Sequence, residues 1–170
     1  MEDRKLSDNF TLHQLTRTEH ADLQAENREV SEDELRKLTA LAAKLEECRA
    51  LVGPLDVHSG RRFYKLNGRV GGSSKSQHML CEAADISPAG PDTEATIEAA
   101  FGKLAHAVRD GALKIGQLII ESAARGREGR SYWIHVSMGT PYRDAAKCNQ
   151  IFKIRDGKVS PYIIPSREVA

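Results

Sequence analysis

The longest regular run of apolar positions lies in residues 35–52. Leu35, Leu38, Leu41, Ala42, Leu45, Cys48 and Val52 recur at three- and four-residue spacing, which places them on one face of a helix. Ser31-Glu32-Asp33-Glu34 opens that run as a capping box, and Gly53-Pro54 stops it. A second helical stripe, Ile97, Phe101, Leu104 and Val108, follows the breaker Pro88-Ala89-Gly90-Pro91, with Asp92 as the expected cap and Gly111 as the stop. Elsewhere the period shortens to that of strands. Leu55-Asp56-Val57-His58, the apolar run Ala83-Ala84-Asp85-Ile86, and the β-branched and aromatic stretches 117–122 and 132–137 read as short strands. The polar, Gly-containing segment 123–130 joins the last two as a hairpin with a longish loop. A final hairpin turns at Asp156-Gly157. Residues up to about 21 form an arm with one short helix capped by Thr11, and 19–30 read as polar connection. A brief helix over 63–70 precedes the flexible loop Gly71-Gly72-Ser73-Ser74-Lys75. These elements predict an α+β fold, a small antiparallel sheet packed against helices. It forms one domain over 1–170, with 1–30 an arm and 138–170 an extension.

Composition narrows the classes. At 170 residues the chain can bury a real core. A formal net charge of +1 gives no general pull toward nucleic acid, and no apolar run approaches the ~18 residues of a membrane span. Met1-Glu2-Asp3-Arg4-Lys5-Leu6 has no apolar core of a secretion signal. Cys48, Cys81 and Cys148, odd in number and widely spaced, argue against a disulfide framework and suit a reducing cytoplasm. The expectation is a monomer made in the cytoplasm.

Candidate chemistry centres on residues 76–86, where His78 is followed seven positions later by Asp85. Imidazole and carboxylate both suit a borderline divalent metal such as zinc. That gap exceeds neighbouring helical turns and suits a loop that supplies His78 and then enters a strand carrying Asp85. The pair is a weak signal alone. The hairpin adds to it, because antiparallel pairing brings Glu121 close to His135. His135 could then be a third ligand and Glu121 a carboxylate beside the metal. Three protein ligands with the fourth position left to water distinguish a catalytic zinc from a structural one. The glycines at 71–72 make no phosphate loop, since they neither follow a clear strand nor open a helix with Lys-Ser/Thr. His13 and His20 read as solvated, His58 as structural, His106 as exposed, and Asn67 as pinning its loop to backbone.

With these segments in view, the chain resembles the zinc D-alanyl-D-alanine peptidases and their phage endolysin relatives, which share a fold with the lysostaphin-type enzymes and the hedgehog signalling domain. Ser76, His78, Ala83 and Asp85 match the pattern Ser-x-His-x-x-Gly-x-Ala-x-Asp. Upstream, Ser59-Gly60-Arg61-Arg62, Leu66-Asn67 and Val70-Gly71-Gly72 look like the Ser-Gly-Tyr-Arg, Leu-Asn and Val-Gly-Gly stretches of that family. Downstream, Gln117-Leu118-Ile119-Ile120-Glu121 and Trp133-Ile134-His135-Val136-Ser137 look like its two later strands, so the likeness runs roughly over 10–137. The resemblance implies one Zn²⁺ on His78, Asp85 and His135, and Glu121 as general base. It also implies Arg62 facing substrate as an oxyanion stabiliser, with Ser76, Gln117 and Trp133 as further substrate contacts. The implied activity is a peptidase or amidase acting on peptidoglycan stem peptides, either a D,D-carboxypeptidase or an endopeptidase of endolysin type. The competing reading is a non-catalytic, zinc-stabilised binding module, or a structural component of a phage or injection machine with the same fold. Two positions depart from the pattern. Arg61 replaces an aromatic residue, a change expected on the surface side and of little consequence. Cys81 replaces a glycine that serves either a positive φ or close packing; its thiol either approaches the metal and closes the site, or fills a small gap in the core.

Overall fold

The computed structural model describes residues 3–91 and 93–166. Its helices are α1 (Leu12–Thr16), α2 (Gln24–Arg28), α3 (Glu32–Val52), α4 (Tyr64–Arg69) and α5 (Glu94–Arg109). Its strands are β1 (Leu55–Ser59), β2 (Ala83–Pro88), β3 (Gln117–Ala124), β4 (Arg130–Ser137), β5 (Gln150–Arg155) and β6 (Lys158–Pro161). They form one sheet in the order β1-β2-β4-β3-β5-β6, antiparallel except where β5 runs parallel to β3.

The strand period divides this sheet into an apolar and a polar face. Ala84, Ile86, Leu118, Ile120, Ile134 and Val136 share a core with Leu38, Leu41 and Leu45 of α3 and Ile97, Phe101 and Leu104 of α5. Each of the Val, Ile, Leu and Phe side chains contributes about 1.5–3 kcal/mol on burial. Their alternates along the strands, Asp85, Glu121, Trp133 and His135, therefore point to the opposite face. The helices are bounded by the residues that the pattern named. Ser31 and Glu34 exchange both bonds of a capping box, and Gly53 ends α3 at φ 89°. At α5 the cap is Thr93, one residue after the expected Asp92, which lies outside the described residues.

Several expectations need correction. The N-terminal arm is part of the core, because Phe10 and Leu15 are buried against α3 and the sheet. The supposed connection over 19–30 holds a 3₁₀ turn (Ala21–Leu23) and α2, and its Asn27 is fully buried. Asn27 donates from Nδ2 to the carbonyls of Thr16 (2.7 Å) and Arg61 (2.9 Å) and accepts from the Phe63 amide (3.1 Å). The loop between β3 and β4 is shorter than expected, spanning 125–129, because both strands extend toward it. The C-terminal hairpin does turn at Asp156-Gly157, with φ of 50° and 76°, but β5 also extends the main sheet. His106 is half-buried rather than exposed, and its Nδ1 has no hydrogen-bond partner.

Arg61 is the largest departure. It is 8% exposed, not a surface residue. Its guanidinium forks onto Glu34 at 2.9 Å and donates to the C-terminal carbonyls of α2, Glu26 (3.2 Å) and Asn27 (3.0 Å). A buried cation is tolerated only when paired and hydrogen-bonded, and Arg61 meets both conditions.

Candidate active site

Strand register builds the site. Asp85 on β2 lies opposite His135 on β4, and Ser59 at the end of β1 lies opposite Asp85 across a register shift. His78 comes from outside the sheet, on a 3₁₀ turn (Gln77–Leu80) that ends at Cys81 in the left-handed region, φ 61°. That conformation is what the expected glycine would supply. The turn is pinned from above: the His78 carbonyl accepts from the Arg62 amide at 3.1 Å, and Gly60 packs directly on Leu15. A Cβ at 60 would fall 2.3 Å from the Leu15 carbonyl oxygen, so only glycine permits this approach.

His78 Nε2, Asp85 Oδ1 and His135 Nδ1 converge. The two nitrogens are 3.2 Å apart, and they lie 3.2 and 3.1 Å from the carboxylate oxygen. All three residues are buried, and they are a cluster of a kind that could hold a metal ion. The remaining ring nitrogen of His78, Nδ1, meets the Gly60 carbonyl at 2.7 Å, which fixes the proton there and leaves Nε2 as a lone pair. The His78 Nε2 lone pair, facing His135 Nδ1 and the Asp85 carboxylate oxygen at this separation, calls for a proton or a cation between them. Ligands about 2.0–2.1 Å from a tetrahedral zinc are about 3.3 Å from one another. The residues fit the ion.

The second oxygen of Asp85, Oδ2, accepts from Arg62 Nη2, and Arg62 Nε donates to Ser59 Oγ at 2.7 Å. Arg62 thus holds the carboxylate with one oxygen turned to the histidines. Burial would raise the Asp85 pKa, but the neighbouring His78 and His135 hold it well below the usual carboxylate range.

Glu121 lies in the body of β3, opposite Trp133 and diagonal to His135, which pairs with Ile119. Burial, and then the charge on Asp85, push its pKa up to about 7 despite the opposing pull of His135 and Arg62. A carboxyl at this value exchanges its proton near neutral pH.

Cys81 does not join the cluster. Its buried Sγ turns toward α3, 3.8 Å from Glu34 Oε1, and burial raises the thiol to about 12. It fills the gap in the core and leaves the metal position to the other three residues.

A cleft of about 580 Å³ opens over this face, with Ser59, Arg62, Asp85 and Trp133 among its lining. Ser76 and Gln117, expected at substrate, do not line it. Ser76 opens the 3₁₀ turn, its carbonyl accepting from Met79, while Gln117 stands at the start of β3 and donates to Gln150. Asn67 binds the carbonyls of Gly72 and Ser73 at 3.2 and 2.9 Å, so it pins the loop as expected. The sequence reading missed the wall made by Arg17, Thr18, Glu19 and His20. Its only signal was the apolar pair Phe10 and Leu15, which anchors the arm beside β1.

A mixed sheet over two helices, with a His-Asp-His cluster on its polar face beside a raised carboxyl, defines a metallohydrolase-type site. The sequence matches the model of one family, peptidase M15, over residues 8–137, and the chain belongs to that family. The family consists of zinc-dependent peptidases, in agreement with the cluster. Comparison with curated proteins gives no match.

Proposed function

We propose that the protein is a zinc metallopeptidase that cleaves peptide bonds in peptidoglycan stems, with His78 Nε2, Asp85 Oδ1 and His135 Nδ1 as the metal ligands. The observation that carries this reading is the convergence of those three buried atoms at 3.1–3.2 Å beside a carboxyl raised to about 7. Zinc held there supplies Lewis-acid polarisation of a carbonyl and acidifies water to near neutrality. Glu121 takes the proton of the attacking water and passes it to the leaving amine, the work for which a pKa near the ambient pH is suited. Arg62 acts first as a positioning residue, aligning Asp85, and its guanidinium at the cleft also stabilises charge developing on the substrate carbonyl oxygen. Trp133 gives the peptide an apolar surface to lie on. An open ligand set and a proton-exchanging carboxyl favour catalysis over a binding module.

The test is Glu121→Gln. The variant should bind one zinc per chain, as the parent does, yet release fragments from a peptidoglycan suspension about 10²–10⁴-fold more slowly. Chelator should stop the parent reaction. A Glu121→Gln protein as active as its parent would remove the carboxyl from the reaction, and a zinc-free parent with full activity would remove the metal.

A further inference from the structure

The cleft is larger than the cluster requires, and its charges are unequally committed. Among the described residues its lining includes Arg17, Arg62, Arg125 and Arg130 against Glu19 and Asp85. Arg62 is taken by Asp85 and Ser59. Arg130 is taken by Asp156, which it binds through both Nη atoms at 3.0 and 2.8 Å. Arg17 and Arg125 form no ion pair among the described residues, and both are exposed. Glu19 likewise forms no ion pair among the described residues, so two arginines stand against one glutamate as the unpaired charges of the described lining.

The two arginines stand on different walls. Arg17 directly follows α1, whose Leu15 carbonyl accepts from the Arg61 amide beside β1 at one edge of the sheet. Arg125 stands in the turn that joins β3 to β4. The register fixes how far that turn is from the cluster. His135 pairs with Ile119, and the ladder continues through Trp133, Tyr132 and Ser131 to Arg130 opposite Ala124. At about 3.3 Å per residue this run is about 17 Å long, the reach of about five residues of extended peptide. Trp133, Tyr132, Ser131 and Arg130 line the cleft along that run.

We propose that Arg17 and Arg125 are specificity-determining residues that recognise a carboxylate on an extended peptide, with Arg125 reading it about four to five residue lengths from the bond to be cut. Guanidinium forks bind carboxylates with two parallel hydrogen bonds, and exposed arginines with no ion pair among the described residues give up little to do so. The inference rests on the reading of the protein as a peptidase of cell-wall peptides, but binding tests it separately from turnover. Trp133 is the chain's one tryptophan and lines the cleft, so its fluorescence reports occupancy.

The experiment titrates the zinc-loaded protein with two synthetic stem peptides of identical sequence, one with free carboxyl groups and one with those groups amidated. The parent should bind the free form about tenfold more tightly, as one charge-assisted pair implies. The preference should collapse toward unity in Arg125→Gln, persist in part in Arg125→Lys, and weaken in Arg17→Gln. A peptide shortened by two residues should lose the part that depends on Arg125. Equal binding of the two peptides by the parent, no response from Trp133 to either, or an undiminished preference in both Gln variants would overturn the proposal. Preference without hydrolysis would sink the peptidase reading and leave the arginine assignment standing. Hydrolysis without preference would do the reverse.

Discussion

At the scale of single residues, the same burial that suits Glu121 to proton exchange sets its effect on stability. Its folded pKa is about 7 against 4.5 for the ordinary carboxyl, so the folded state holds this proton more tightly than the unfolded chain. The resulting stability is complete below about pH 4.5 and is lost as pH rises through 7. Above that, an ionised carboxylate remains partly desolvated beside Asp85. Glutamine carries no charge at any pH. In chelator, Glu121→Gln should therefore melt with the parent near pH 4.5 and above it at pH 8, by about 1–3 kcal/mol or several degrees. Thermal scans at the two pH values check this. Equal shifts at both would mean that the carboxyl is not burdened by its surroundings. Cys81 is a second residue-scale case. At φ 61° it is strained, but its thiol fills a core gap, so Cys81→Gly exchanges backbone relief of about 1 kcal/mol for a cavity of similar cost. Denaturant titration should find it within about 1 kcal/mol of the parent, with zinc stoichiometry unchanged.

Among the elements, Arg61 and Glu34 bind α2, α3 and the segment before α4 into one unit. Arg61→Leu removes the guanidinium donor shared by the partly exposed Glu34 carboxylate and the Glu26 and Asn27 carbonyls, and should cost about 1–3 kcal/mol in urea unfolding. The exposed pair Lys65–Glu26, a short distance away, is the contrast: Lys65→Ala should cost under about 1 kcal/mol. Equal costs would show that burial does not distinguish them. This network also marks where sequence reading stops. The helices α3 and α5, the hairpin β3–β4 and the Asp156-Gly157 turn were legible because each is written locally, in a period or a turn dipeptide. The cluster was legible because His78 and Asp85 belong to one short motif and His135 to a patterned strand. Arg61 could not be placed, since nothing within a few residues announces that Glu34 faces it. The cleft wall at Arg17 to His20 was hidden for the same reason, its position being set by long-range bonds from Asn27 and Arg61. Glu121 was found beside the cluster, but its pairing with Trp133 rather than His135 depends on a register that pattern alone left open.

For the whole molecule, the two faces of the sheet separate what holds the fold from what does the chemistry. The core joins α3, α5 and the apolar face, and none of His78, Asp85 or His135 belongs to it. Chelation should therefore stop activity without unfolding the protein, unlike small zinc domains whose fold depends on the ion. Zinc at a hundredfold excess over its dissociation constant adds about 2.7 kcal/mol, which for a chain of 170 residues raises the melting temperature by about 5–11 °C. His135→Ala should lose that increment, since one of the three ligands is gone, while its metal-free form melts close to the metal-free parent. Melting curves with zinc and with chelator, paired with far-ultraviolet circular dichroism at 25 °C, separate the two cases. If chelated parent lost its helical signal at 25 °C, the cluster would be a folding element and the apolar face alone would not suffice. If His135→Ala kept the full zinc-dependent rise, His135 would not be a ligand, and the ion would be held by other residues.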